Sequence, residues 1–164
     1  MRHSTAVTIL VGLTVLAISV HGSWAQDCSS KAATSAISKS LGEDELFNCS
    51  VDIICHDFTH RGGDMVAVIT CGSLNVLTWY LLTRSSGQWR LLWKSLTKQP
   101  FSPWHGKLEL VENSDDLIVS GDIFNRGDAD CCPTGGKQFA RLHWNGEAFQ
   151  VIKGWQTPPP QKTH

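Results

Sequence analysis

From Asn48 onward the chain repeats one pattern, a short run rich in Val, Ile, Leu and aromatic residues followed by a polar or glycine-bearing turn. Strands at such spacing, with turn signals between them, predict a mostly antiparallel sheet system. Val51-Asp52-Ile53-Ile54-Cys55 and Met65 to Thr70 flank the loop Asp57 to Asp64 and read as one hairpin. Thr78 to Thr83 turns through Arg84-Ser85-Ser86-Gly87 into Gln88 to Lys94 as a second. Lys107 to Val111 and Leu117 to Ser120 flank the polar turn Glu112 to Asp116. Phe139 to Trp144 turns through Asn145-Gly146 into Ala148 to Lys153, and Asn-Gly favours a type I′ turn because both positions need positive φ. In Trp89, Leu91 and Trp93 the alternation puts three apolar side chains on one strand face, with Arg90 and Lys94 on the other.

One helix precedes the strands. Asp27 to Leu41 holds Ala32, Ala33, Ala36 and Ile37, with Asp27 or Ser29 as cap and Gly42 as stop. It is short, so packing and a bridge from Cys28 must stabilise it. The expected fold is a mostly β antiparallel meander, forming a sandwich or barrel-like domain with one short N-terminal helix and stapled by disulfides.

Residues 1–25 read as a signal peptide, with Arg2 at the start, an uncharged apolar stretch from Thr5 to Val20, and Ser23-Trp24-Ala25 before the cleavage point. Residues 26–155 then form a single secreted β-rich domain, and 156–164, with Pro158-Pro159-Pro160, a disordered tail. Loss of Arg2 leaves thirteen basic against fifteen acidic residues. No clustered positive charge suits nucleic acid, and no basic amphipathic helix suits a membrane surface. A soluble monomer without a membrane span is expected once the signal is removed, in the periplasm or secreted.

All six cysteines, Cys28, Cys49, Cys55, Cys71, Cys131 and Cys132, follow the cleavage point and predict three disulfides. No Cys-x-x-Cys pair points to zinc. Pairing 51 with 70 and 55 with 66 sets Cys49 and Cys71 within one residue of register. A bridge there leaves Cys28 and Cys55 as possible partners. Adjacent cysteines sit about 3.8 Å apart across a trans peptide, whereas bridges usually span about 4.4–6.8 Å. Geometry alone therefore favours separate partners for Cys131 and Cys132, although the other four can pair among themselves.

The chemistry-bearing residues are few. The loop Asp57 to Asp64 looks like a calcium loop that has lost its ligands, because Thr59 and Arg61 occupy the alternate positions where oxygens belong. A structural turn without a metal is the expectation, and no cofactor is implied. His56 and His60 flank Asp57 but leave a strand for a glycine-rich loop. No nucleophile elbow, His-Glu-x-x-His or phosphate-binding loop is present. The candidate contact residues are Trp104 and His105, in the Pro-rich loop Pro100 to Gly106, and Asp128 and Asp130 beside the adjacent cysteines.

The run Asp128-Ala129-Asp130-Cys131-Cys132-Pro133-Thr134-Gly135-Gly136, followed by Arg141-Leu142-His143-Trp144-Asn145-Gly146 and Phe149, resembles the LppP/LprE family of bacterial lipoproteins. The resemblance covers roughly Val51 to Ile152. It implies a small exported β domain of bacterial envelopes, supplies no catalytic residues, and shifts the reading of Cys131 and Cys132 toward a bridge with each other. This chain lacks a matching lipobox, so a soluble form is expected. The functional expectation is a non-catalytic binding module whose partner is a protein or envelope component. The rivals are a redox-responsive protein using the adjacent cysteines, and a small hydrolase or inhibitor with a site near His56 and Asp57.

Overall fold

The structure, a computed structural model, describes residues 27–72, 76–95, 106–129 and 131–159. Residues 1–25, expected from the sequence to be a signal peptide, lie outside these, as do Trp104, His105, Asp130 and the last residues of the expected tail. Among the described residues, helix α1 (Ser30–Leu41) and a 3-10 turn (Glu43–Leu46) lead into eight strands. They are β1 (Cys49–His56), β2 (Asp64–Cys71), β3 (Val76–Ser85), β4 (Gln88–Lys94), β5 (Lys107–Leu110), β6 (Asp116–Asp122), β7 (Lys137–Trp144) and β8 (Phe149–Thr157). They form two antiparallel four-stranded meanders, β1-β2-β3-β4 and β5-β6-β7-β8. The expected mostly β class with a short helix before the strands is observed, and the two separate sheets of the described residues make it a sandwich.

Side-chain parity along the strands explains the layering. On β2 and β3, Val66, Val68, Leu77, Trp79 and Leu81 turn toward the second sheet, where Leu108, Leu117, Val119, Ala140, Leu142 and Trp144 meet them. The intervening residues Met65, Ala67, Ile69, Tyr80 and Leu82 face the other way and are covered by Ala33, Ala36 and Ile37 of α1. The first sheet is thus buried on both faces, which explains the near-continuous apolar run of β2. Aromatic rings bridge the sheets. Phe149 lies 5.4 Å from both Phe58 and Trp93 and 5.2 Å from Trp144, each edge-on, the geometry ring quadrupoles prefer.

Ser29 caps α1, its hydroxyl accepting from the Ala32 N–H at 3.2 Å, and Gly42 closes it at φ 102°. The helix begins at Ser30 rather than Asp27. Asp27 is drawn to Arg84, at 2.6 Å, and its carbonyl accepts from Trp89 Nε1.

The first hairpin pairs one residue away from the sequence expectation, with Val51 opposite Ile69, and this sets Cys49 directly opposite Cys71. Those two are bonded, with Cα atoms 4.2 Å apart, and Cys28 is bonded to Cys55. The loops they close, 22 and 27 residues long, correspond in the chain-entropy description to about 3.5 kcal/mol each. Cys131 is bonded to Cys132. Disulfides are consistent with an oxidising, extracytoplasmic location. No helix among the described residues is long and apolar enough to cross a membrane, which says nothing of β-barrels.

Two departures from simple alternation matter for the site. Leu91 pairs with Leu82 but Trp93 pairs with Leu81, so Leu92 is an extra residue in β4. The bulge divides the expected apolar face: Trp89 and Leu91 pack under the helix, whereas Trp93 packs between the sheets. It also leaves Leu92 43% exposed, the re-aiming of a side chain that bulges produce. The Asn145-Gly146 connection is a four-residue loop rather than a two-residue type I′ turn. Of the two, only Gly146 has positive φ, and the Asn145 side-chain oxygen accepts from the Glu147 and Ala148 N–H groups. The tail also begins later than expected, since Gln156 and Thr157 extend β8 by pairing with Gln138 and Lys137.

Candidate functional site

The loop between β1 and β2 is fixed by its own two aspartates. Asp57 accepts from the N–H groups of Arg61 and Gly62, one to each oxygen, at 3.0 and 3.2 Å. Asp64, fully buried, accepts from the Thr59 N–H at 2.6 Å and the Thr59 hydroxyl at 3.1 Å. Both carboxylates are engaged with the chain that would have to wrap a cation. Among the described residues no three His, Cys, Asp or Glu side chains are arranged to hold a metal ion.

With Asp57 so engaged, His56 reaches across to the other sheet. Its Nε2 lies 2.6 Å from Asp115 Oδ1, while His60 Nε2 lies 3.4 Å from Asp115 Oδ2. A carboxylate can only accept, so His56 Nε2 carries the donated proton. The next residue, Asp116, opens β6 and points into a second cluster. Its carboxylate accepts from His143 Nδ1 at 2.7 Å and from Arg141 Nε at 2.6 Å. The Ser114 hydroxyl accepts from the Asp116 N–H and from Arg141 Nη2. Burial by itself raises the pKa of Asp116. Hydrogen bonds from His143, Arg141 and Ser114, with the Arg141 charge, outweigh it and hold the carboxyl below the ordinary carboxylate range. The donation from Nδ1 leaves His143 Nε2 available to the solvent side of the ring.

These groups surround a cleft of about 320 Å³ at the end of the sandwich, where the β1–β2, β5–β6 and β7–β8 connections meet. Thr59, His60, Arg61, Asp115 and His143 supply its polar lining, and Phe58, Leu92 and Trp144 its apolar lining. Among the described residues the Arg61 guanidinium has no acidic partner. Among the described residues, further hollows lie beside Phe139 and Trp155 on β8 and between the start of α1 and Trp89. The first has no charged lining, and in the second Asp27 is already paired with Arg84.

The sequence-selected residues fall differently. Trp104, His105 and Asp130 lie outside the described residues. Asp128 organises its own loop: its carboxylate accepts from the Thr134 N–H at 2.8 Å, the Thr134 hydroxyl at 2.7 Å and the Asn125 N–H at 2.7 Å. Those bonds, the Thr134 ones foremost, hold the carboxyl below its ordinary range. Of the histidine pair, His56 and His60 meet at one carboxylate, but that carboxylate is Asp115 and not Asp57. Sequence reading passed over Asp115, Asp116, Arg141 and His143. The one local signal was two adjacent acids opening a strand whose neighbour alternates Arg141 and His143. Comparison with family models, with curated proteins and with solved structures returns no match for this chain.

Proposed function

We propose that this chain is an exported, non-catalytic binding module of the cell envelope, and that the inter-sheet cleft is its ligand site. The compartment reading rests on the disulfides and on the resemblance of the Cys-Cys-Pro segment to envelope lipoproteins. The observation that carries the site is the convergence of Arg61, His60 and His143 on one cleft, where Asp115 is held by the histidines and Leu92 and Trp144 form an apolar wall.

A guanidinium that has no acidic partner among the described residues, with an apolar wall beside it, suits a small ligand with a carboxylate at one end and a flat apolar body at the other. The two hydroxyls nearest the cluster are committed elsewhere, Thr59 to Asp64 and Ser114 to Asp116 and Arg141. Neither is free to act as a nucleophile, so binding is favoured over hydrolysis.

Calorimetry with benzoate as the probe tests the reading. Arg61→Ala should weaken benzoate binding about tenfold, equivalent to about 1.4 kcal/mol, while benzyl alcohol binds both proteins weakly and equally. Equal benzoate affinity in the two proteins would overturn the assignment of the cleft.

A further inference from the structure

We infer that Cys131–Cys132 is a thiol–disulfide exchange site, opened by an external dithiol while the other two bridges stay closed. Three independent observations converge on it. The first is covalent: neighbouring residues hold their Cα atoms 3.8 Å apart, short of the span that disulfides ordinarily adopt, so the closed ring disfavours the bonded state relative to two thiols. The second is access. Cys131 and Cys132 are both exposed, whereas each other bridge has at least one half-buried cysteine packed against the cluster beneath α1: Cys28 in the bridge to the exposed Cys55, and both Cys49 and Cys71 in theirs. An attacking thiolate must approach a sulfur along the S–S axis, and accessible bridges are the labile ones.

The third is what holds the loop when the bridge is gone. Asp128 gathers Asn125 and Thr134 from the two sides of the cysteine pair. The Cys132 N–H bonds to the Ala129 carbonyl at 2.9 Å, and Ile123 exchanges backbone bonds with Gly135 and Gly136 at 2.8 and 2.9 Å. None of these contacts uses a sulfur. Opening the bridge therefore frees two thiols on a loop that keeps its course. By contrast, Cys28–Cys55 ties the helix to β1, and Cys49–Cys71 ties β1 to β2.

The exchange balances as a two-electron transfer. One thiolate of the dithiol attacks the sulfur of Cys131 or Cys132, forming a mixed disulfide and expelling the neighbouring cysteine as thiolate, which takes up a proton. The second thiol of the dithiol then displaces the first cysteine. The dithiol leaves as its own disulfide, and Cys131 and Cys132 both remain as thiols. Such a dithiol can be a small molecule or a Cys-x-x-Cys protein, and the chemistry is the same.

The test uses the native mature protein equilibrated with graded ratios of reduced to oxidised dithiothreitol, quenched with N-ethylmaleimide and mapped by peptide mass spectrometry. Cys131 and Cys132 should be alkylated together at a ratio at least tenfold lower than any of the other four. Opening of Cys28–Cys55 or Cys49–Cys71 at the same or a lower ratio would overturn the inference, as would persistence of Cys131–Cys132 until the protein unfolds. A parallel arm uses a purified, reduced Cys-x-x-Cys oxidoreductase domain. Faster opening there at equal thiol concentration identifies a protein dithiol as the partner, and equal rates identify a small one. The double variant Cys131→Ser with Cys132→Ser should keep the wild-type circular dichroism, since the loop is held without sulfur. A collapsed spectrum contradicts the independence of the loop.

Discussion

Replacing Asp116 by asparagine removes one negative charge from a place where the structure commits it fully. The Asp116 side chain is 10% exposed and faces Arg141 and His143, whose side chains are 38% and 51% exposed. Breaking a fully buried pair costs about 3–5 kcal/mol, and breaking a surface pair about 0–1. With one buried acceptor and two half-wet donors, the expected cost is about 2 kcal/mol, or roughly 6–10 °C in melting temperature for a domain of this size.

The cost carries a pH signature. A carboxyl whose folded pKa lies below its unfolded value contributes stability that is fully present above the unfolded pKa, near 3.8. That contribution is lost as the pH falls through the lower, folded value. The carboxamide of the variant cannot titrate. The gap between wild type and Asp116→Asn should therefore be widest above about pH 5 and shrink below about pH 4. Calorimetric melting of both proteins from pH 7 to pH 3 measures it. A gap that is unchanged at pH 3 would refute the reasoning, because the loss would then come from shape and not from charge.

Phe149→Ala should destabilise by about 3–4 kcal/mol, since it empties the centre of the inter-sheet ring cluster; a loss under about 1 kcal/mol in chemical denaturation would show that the sheets do not depend on it. Asp64→Ala leaves the Thr59 N–H and hydroxyl without their acceptor. It should cost about 2–3 kcal/mol and speed amide exchange across 59–62, both readable by hydrogen-exchange spectroscopy. Ser29→Ala removes the helix cap and should cost about 1 kcal/mol by denaturant midpoint, with the slope unchanged.

How far the sequence reaches depends on the range of the interaction involved. Ser29 and Gly42 act within one turn of helix, so the cap and stop were legible. The first hairpin was legible to within a residue because β-branched runs and the Cys49–Cys71 spacing constrain the same register. The bulge at Leu92 was not, because it shows only when β3 supplies its partner. Read alone, Trp89, Leu91 and Trp93 can only look like one face. Asn145-Gly146 carries a turn signal, but the choice between a two-residue and a four-residue loop follows from the inward Trp144–Phe149 pair that the core requires. The cleft was least legible. His56 and Asp115 lie 59 residues apart and meet only because the two meanders pack with these connections at one end. The nearer carboxylate, Asp57, looks like the natural partner until its oxygens are seen to be taken by Arg61 and Gly62.

The central proposal is that the cleft at the sandwich end binds a small carboxylate ligand. Mapping benzoate onto the folded protein by amide chemical-shift changes in a titration tests it most directly. The largest changes should fall on 58–61, Leu92, Asp115 and 143–146, in Arg61-dependent fashion. Changes centred on Phe139 and Trp155 of β8, with the cleft unmoved, would contradict it.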